Sequence, residues 1–121
     1  MILDLHHFQI AIPSGQEQAA RAFYGDILGF SEIEKPEELR GRGGIWLETR
    51  NIQLHLGVEV PFSAAKKAHP GFRVKSLRQA MMHLDAHGHD YRADIDLPGI
   101  KRIYVTDPFG NRIELLEVLA N

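Results

Sequence analysis

The chain has 121 residues, of which 44% are hydrophobic and 25% are charged, and its formal net charge is −2. This length and composition are typical of one globular domain, and the slight negative charge argues against a nucleic-acid-binding protein, which normally carries a basic surface. The chain contains no cysteine, so disulfides, thiolate nucleophiles and thiolate metal ligands are excluded.

The N-terminal residues do not resemble a targeting segment. They lack the basic start and the apolar run of a secretory signal peptide. No apolar stretch approaches the roughly 20 residues that a membrane-spanning helix needs. We therefore expect a cytoplasmic protein that binds neither membrane nor nucleic acid.

The first half of the chain predicts a strand, a helix and three further strands. Residues 5–12 alternate between polar and apolar side chains, as a half-buried strand does. After Pro13, Ser14 and Glu17 have the spacing of a capping box, which predicts the start of a helix. The helix is predicted to end at Gly29, where a left-handed cap is favourable. A short strand over 30–34, a polar loop over 35–44, and a strand pair over 45–48 and 52–58 follow.

The second half repeats this order of elements. A predicted strand over 69–74 leads to Ser76 and Gln79, which form a second capping box. The second helix is predicted to end at Gly88. The segment 107–110 has the residue preferences of a type I turn. The remaining predicted strands are 90–94, 101–106 and 112–118.

Corresponding positions of the two halves lie about 60 residues apart, which indicates a tandem repeat of one supersecondary unit. The paired positions are His7 and His69, Trp46 and Tyr104, and His55 and Glu114. We therefore predict an α+β fold in which one domain, 1–121, consists of two βαβββ modules, about 1–60 and 66–121. Each module has one main helix, which covers the apolar face of its sheet.

Strand periodicity predicts that the other face of each sheet is polar, because successive side chains point to opposite faces. A face with three His, one Glu and two Arg is a poor packing surface and a suitable lining for a polar cavity. His6, by the same alternation, is expected to point away from His7. The predicted members of the polar face are His7, Gln9, Gln53, His55, His69, Arg73, Arg102, Tyr104 and Glu114.

Several side chains are candidates for substrate contacts. Arg73 and Arg102 could neutralise an anionic substrate or could simply be exposed. Trp46 and Tyr104 could wall the cavity or could pack in the core. The remaining predicted substrate-binding residues are Gln9 and Gln53.

Two stretches carry a resemblance to a known family. A strand histidine, His7, is followed by segment 22–30, AFYGDILGF, and the chain ends with segment 104–115, YVTDPFGNRIEL. Together with the repeat, these resemble the vicinal oxygen chelate superfamily. That group includes glyoxalase I, fosfomycin-resistance thiol transferases, methylmalonyl-CoA epimerases, extradiol dioxygenases and bleomycin-resistance proteins. The resemblance covers nearly the whole chain and implies a partly open, cup-shaped mixed sheet.

The resemblance also implies a set of metal ligands. In metal-dependent members the ligands come from the first and last strands of each module, so His7, His69 and Glu114 correspond to ligands. His55 corresponds to a fourth ligand or a general base, and Gln53 on the same strand face is the alternative for that position. Glu114 and His55 are the implied catalytic residues. Such a set suits divalent Mn, Fe, Zn, Ni or Co.

The function implied is that of a small metal-dependent enzyme that chelates a small oxygenated substrate, of isomerase, thiol transferase or dioxygenase type. The alternative is a metal-free binding protein that sequesters a drug or metabolite, as bleomycin-resistance proteins do. Two-module chains of this group usually dimerise, so the resemblance implies a homodimer with sites between subunits. The sequence names neither the substrate nor the metal.

Overall fold

The structure is a computed structural model that describes residues 1–120, and the chain divides into two compact units. The first unit is Met1–Ala64, and the second begins at Ala65. Each unit contains one open, four-stranded mixed sheet. The α+β class and the βαβββ order of elements are confirmed. Over residues 1–120, no helix has the length and apolar character needed to cross a membrane.

In the first unit, two antiparallel pairs and one parallel pair build the sheet. The strands are β1 (Phe8–Ile12), β2 (Ser31–Ile33), β3 (Ile45–Thr49) and β4 (Ile52–Val58). They lie in the order β1-β4-β3-β2, with β1 parallel to β4 and the other pairs antiparallel. The helical segments are α1 (Glu17–Ala20), its continuation as a π-helix (Arg21–Ile27), and a 3-10 helix (Glu37–Arg42) within the predicted polar loop.

The second unit repeats this topology. Its strands are β5 (Gly71–Arg73), β6 (Arg92–Ala93), β7 (Ile100–Thr106) and β8 (Arg112–Val118), and its helix is α2 (Leu77–Ala86). The order is β5-β8-β7-β6, with β5 parallel to β8 and the other pairs antiparallel. The register repeats as well, because Gln9 lies opposite His55 in the first unit and Gly71 lies opposite Glu114 in the second.

Each sheet buries the apolar face that strand alternation predicts. In the first unit Leu54 is fully buried, and so are Phe23 and Tyr24 of the π-helix. In the second unit Ile113 of β8 and Leu84 of α2 are fully buried. Burying one such side chain contributes about 1.5–3 kcal/mol, so the polar faces of the two sheets are held in place by the cores beneath them.

The second capping box and both predicted helix ends are confirmed. Ser76 Oγ accepts a hydrogen bond from the backbone N–H of Gln79 over 3.2 Å. Gly29 has a φ of 89° and Gly88 a φ of 63°, the left-handed conformation that glycine adopts without a steric penalty.

The first capping box is wrong. Helix α1 has Gln16 at its N-cap, with no side-chain cap, and Ser14 is separated from it by Gly15, whose φ of 76° turns the chain. The carboxylate of Glu17 instead accepts the backbone N–H of Gly44 over 2.9 Å. This hydrogen bond is the main cause that lowers the pKa of Glu17, and it ties the start of α1 to the residue before β3.

The turn between β7 and β8 is organised by one buried carboxylate. Asp107 Oδ1 accepts the backbone N–H groups of Phe109, over 2.9 Å, and Asn111, over 2.8 Å. Its Oδ2 accepts from Asn111 Nδ2 over 2.8 Å. Asp107 is only 4% exposed. It is therefore a structural residue of the turn.

Replacing Asp107 with Ala is expected to lower the free energy of unfolding by about 2–4 kcal/mol, because buried donors would lose their acceptor. Urea denaturation measures this loss. The matched control is Asp96→Ala, which removes an exposed carboxylate and should change stability by less than about 0.5 kcal/mol. Equal stability of the two variants would contradict the structural role of Asp107.

Candidate functional site

The polar face of the first unit holds a stack of three rings, formed by His7, His55 and Trp46, which we call the aromatic stack. The ring centroids of Trp46 and His55 are 3.7 Å apart with planes 2° from parallel. Those of His55 and His7 are 4.1 Å apart with planes at 20°. Trp46 and His55 meet because they lie directly opposite each other on β3 and β4.

His55 is the buried centre of the aromatic stack, with 5% of its surface exposed. Its Nε2 lies 2.8 Å from Gln53 Oε1. An amide oxygen can only accept, so Nε2–H donates and the lone pair of the ring is on Nδ1. Burial, and then the positive charges of His7 and His6, lower the pKa of His55 to about 4. The ring is therefore neutral at pH 7.

His6 contacts His7 at the edge of the aromatic stack, which strand alternation did not predict. Its Nδ1 lies 2.9 Å from Nδ1 of His7. Alternation predicted that the two rings point apart, but β1 begins only at Phe8, so the period-two rule does not apply to residues before it. The sequence feature that could have indicated this contact is that His6 and His7 are adjacent in the chain.

The polar face of the second unit holds a cluster of polar and ionisable side chains, which we call the ionic cluster and which consists of His69, Arg102, Tyr104 and Glu114. His69 Nε2 lies 2.9 Å from Glu114 Oε1, and Arg102 Nη1 lies 3.6 Å from Glu114 Oε2. Arg102 Nη1 also donates to the hydroxyl of Tyr104 over 3.2 Å. Glu114 is 8% exposed, so these partners compensate a buried negative charge.

The hydrogen bonds of His69 fix which ring nitrogen carries a proton. Its Nδ1 lies 2.9 Å from the backbone oxygen of Lys67, and a carbonyl oxygen can only accept, so Nδ1–H donates. The other nitrogen, Nε2, faces an oxygen of Glu114. A neutral His69 and an ionised Glu114 would therefore place two lone pairs against each other, and a cation, either a proton or a metal ion, must lie between them.

This arrangement fits one side of a metal site. Metal-binding histidines commonly donate their other ring N–H to a backbone carbonyl, as His69 does to Lys67. Two ligands at about 2.1 Å from one metal and at right angles to each other lie about 3 Å apart, and the two atoms of His69 and Glu114 are 2.9 Å apart. Among residues 1–120, the structure places no three His, Asp or Glu together in a metal-binding group.

The match to known proteins covers both units. Residues 5–115 match the family model of the Glyoxalase/Bleomycin resistance protein/Dioxygenase superfamily. The chain belongs to this superfamily. The resemblance to the vicinal oxygen chelate group is thereby confirmed.

Individual members of the superfamily resemble the chain over nearly its whole length. It is 30% identical over 125 residues to Glyoxylase I 4 of Arabidopsis thaliana, and the alignment covers 94% of this chain and 70% of that protein. It is 46% identical to a glyoxalase family protein from Bacillus anthracis, with a TM-score of 0.93 and coverage of 98% and 97%. The fosfomycin resistance protein FosX from Listeria monocytogenes shares the fold, with 16% identity, a TM-score of 0.76 and coverage of 97% and 94%.

Most residues that carry the superfamily resemblance build the fold. Phe23 and Tyr24 are core residues of the π-helix, and Asp107 holds the turn before β8. Glu114 and Tyr104 are the two that lie in the ionic cluster, directly opposite each other on β8 and β7. The motifs are therefore specific for the superfamily fold and say less about the reaction.

The predicted substrate residues fall into two groups. Four of them form ring contacts or hydrogen bonds within the two polar faces, namely Trp46, Gln53, Arg102 and Tyr104. Arg102 is neither free nor simply exposed, because its Nη2 also lies 3.4 Å from Asp94 Oδ2. The other two, Gln9 and Arg73, are exposed.

The low pKa of His55 predicts how acid affects the metal-free protein. An unfolded chain protonates this residue near pH 6.5, and the folded chain does so near pH 4, so the unfolded state binds more protons between these values. The free energy of unfolding should fall by about 3 kcal/mol as the pH falls through this window, and this contribution is constant above it.

Urea denaturation in the presence of a chelator tests this dependence. In His55→Phe, which keeps a flat ring in the stack, the part due to His55 should vanish. The control, His87→Gln at an exposed position, should retain the wild-type pH dependence. Identical pH profiles of wild type and His55→Phe would contradict the proposed burial of a neutral imidazole.

Proposed function

We propose that this protein is a small metal-dependent enzyme of the superfamily, of isomerase, thiol transferase or dioxygenase type, acting on a small oxygenated substrate. His7, His69 and Glu114 would hold a divalent Mn, Fe, Zn, Ni or Co ion, with His55 as the fourth ligand. The observation that carries the proposal is the orientation of His69, whose Nε2 faces a carboxylate oxygen at 2.9 Å while its Nδ1–H is held by a backbone carbonyl.

The repeat supports the same assignment. His55 and Glu114 occupy equivalent register positions, opposite Gln9 on β1 and Gly71 on β5. His7 lies two residues before Gln9, and His69 lies two residues before Gly71. The name of the Arabidopsis relative, Glyoxylase I 4, supports an enzyme rather than a structural protein.

The residues around the ligands would orient them for catalysis. A divalent metal held there would supply Lewis-acid stabilisation of negative charge on substrate oxygens. The Lys67 carbonyl fixes the ring of His69, and Arg102 holds Oε2 of Glu114 so that Oε1 faces His69. Such fixed partners keep the ligands in place without reorganisation during the reaction.

We also propose a homodimer, in which the first-unit ligands of one chain and the second-unit ligands of the other share one metal. Each unit by itself brings two predicted ligands together, and a complete set needs two such pairs. Metal binding and dimerisation would then be linked. Light scattering should show dimers in the metal-loaded protein; a metal-loaded monomer at all concentrations would contradict the shared site.

A second candidate function is a metal-free binding protein for a flat drug or metabolite. The aromatic stack favours it, because the rings of His7 and His55 lie face to face, whereas two ligands of one metal converge through their ring edges. A flat ligand could extend this stack on its exposed His7 side.

Thermal unfolding of chelator-treated protein separates the two functions. For the enzyme, a transition-metal ion at about 100 times its dissociation constant should stabilise the fold by about 2.7 kcal/mol and raise Tm by about 10 °C. Calcium, which prefers oxygen-only ligands, is the control and should have little effect. A rise in Tm on addition of flat aromatic compounds, together with no rise on addition of any metal ion, would favour the binding protein.

A further inference from the structure

Three arginine side chains surround the ring of Tyr104. Their guanidinium carbons lie 5.4 Å (Arg92), 5.7 Å (Arg102) and 5.2 Å (Arg112) from the ring centroid, within the range of cation–π attraction. They reach the ring from neighbouring strands, since Arg92 lies opposite Tyr104 on β6 and Arg112 lies on β8, two residues before Glu114. Three like charges around one ring form a strongly positive patch.

Only one of these charges is balanced by nearby carboxylates. Arg102 lies 3.4 Å from a carboxylate oxygen of Asp94 and 3.6 Å from one of Glu114. Arg92 and Arg112 form no ion pair with any carboxylate in residues 1–120. Arg92 is exposed and Arg112 is half-buried, so neither residue is closed off from solvent.

A cavity opens beside Arg92, whereas Arg102 and Arg112 are not part of its lining. Its volume is about 460 Å³, and its lining includes Arg92, Tyr104 and Thr106. Asp90 also lines it but forms no ion pair with Arg92 in the described structure. The cavity is large enough for a small organic anion.

The shared fold does not require this positive charge. The first-unit position equivalent to Arg92 is Ile33, opposite Trp46 on β3. The position equivalent to Arg112 is Gln53, two residues before His55. Both counterparts are uncharged although the two sheets have the same topology. The arginine pair is thus a property of the second unit alone, as expected of groups placed for a ligand.

We infer that Arg92 and Arg112 together bind one anionic group, a carboxylate or a phosphate, of the molecule that occupies the site. A guanidinium group can donate two hydrogen bonds to two oxygens of a carboxylate or of a phosphate, and the guanidinium carbons of Arg92 and Arg112 lie 5.4 Å and 5.2 Å from the ring centroid of Tyr104. The inference rests on the proposed function in one respect: the anionic group would belong to the substrate held at Glu114. It narrows the substrate class to small oxygenated acids or phosphate esters.

Titration of the metal-free protein with inorganic phosphate and with acetate, at constant ionic strength, tests this inference. NMR signals of the arginine Nε–H groups report the contact directly. We expect saturable shifts at Arg92 and Arg112, and a loss of affinity of at least about ten-fold in the double variant Arg92→Gln/Arg112→Gln. The control is Arg78→Gln, an exposed arginine of α2, which should bind like the wild type.

Preference for phosphate would identify a phosphorylated ligand and preference for acetate a carboxylic acid, and either supports the inference. Binding of neither anion by the wild type, or unchanged binding by the double variant, would overturn it. The double variant should retain wild-type metal affinity, because it keeps all proposed ligands. Loss of anion binding with intact metal binding, or the reverse, therefore separates failure of this inference from failure of the proposed function.

Discussion

Replacing Glu114 with Gln is expected to abolish stoichiometric metal binding, with a loss of affinity of more than about 100-fold. Changes in residues that merely contact metal ligands already cost about 10- to 100-fold, and this change removes the anionic oxygen that faces His69. The side chain keeps its size, so the fold should survive with a modest loss of stability. Isothermal titration of chelator-treated protein with Zn²⁺ or Mn²⁺ measures the effect.

Two further variants make this result specific. Glu59→Gln removes an exposed carboxylate of the first unit and should bind metal like the wild type. His69→Gln should reproduce the defect of Glu114→Gln, because the two side chains face each other. Wild-type metal affinity in Glu114→Gln would show that this carboxylate is not a ligand.

Replacing Gly44 with Ala is expected to destabilise the first unit by about 3–5 kcal/mol. Gly44 has a φ of 79°, and an added Cβ would overlap the carbonyl oxygen of Leu56 on the adjacent strand. Because this neighbour is backbone, it cannot rotate away. The strand β3 would have to shift, and with it the Gly44 N–H that donates to Glu17 and the ring of Trp46 in the aromatic stack.

The matched control for Gly44→Ala is Gly99→Ala. Gly99 also has a positive φ, 73°, but an added Cβ there would meet nothing within 4 Å, so only the backbone strain of about 1 kcal/mol applies. Trp46 is the only tryptophan of the chain, so its fluorescence during urea unfolding reports on the aromatic stack. Equal stability of the two variants would contradict the close approach at Gly44.

Strand periodicity and the repeat predicted the fold and much of each polar face, because both depend on local patterns. Alternation alone placed Gln53 on the same face as His55, where the two are now seen to bond. The equivalence of His55 and Glu114 came from their spacing within the repeat. The turn residues at 107–110 carried a local signal of the same kind.

Contacts between distant residues could not be predicted from local patterns. The carboxylate of Glu17 has the right spacing for a capping box, but it finds a partner 27 residues away in Gly44. The position of Arg92 gave no signal, because β6 has only two residues and shows no period. The stacking of His55 between Trp46 and His7 depends on the register of neighbouring strands, which a single strand does not encode.

Metal content is the most direct test of the proposed metal centre. Untagged protein purified without chelators would be analysed by mass spectrometry of the elements, before and after reconstitution with Mn, Fe, Co, Ni or Zn. We expect about one equivalent of one of these metals per chain, released as the pH falls because protons compete with a metal ion for its ligands. A protein that holds no metal even after reconstitution would contradict the proposed metal centre and favour the metal-free binding protein.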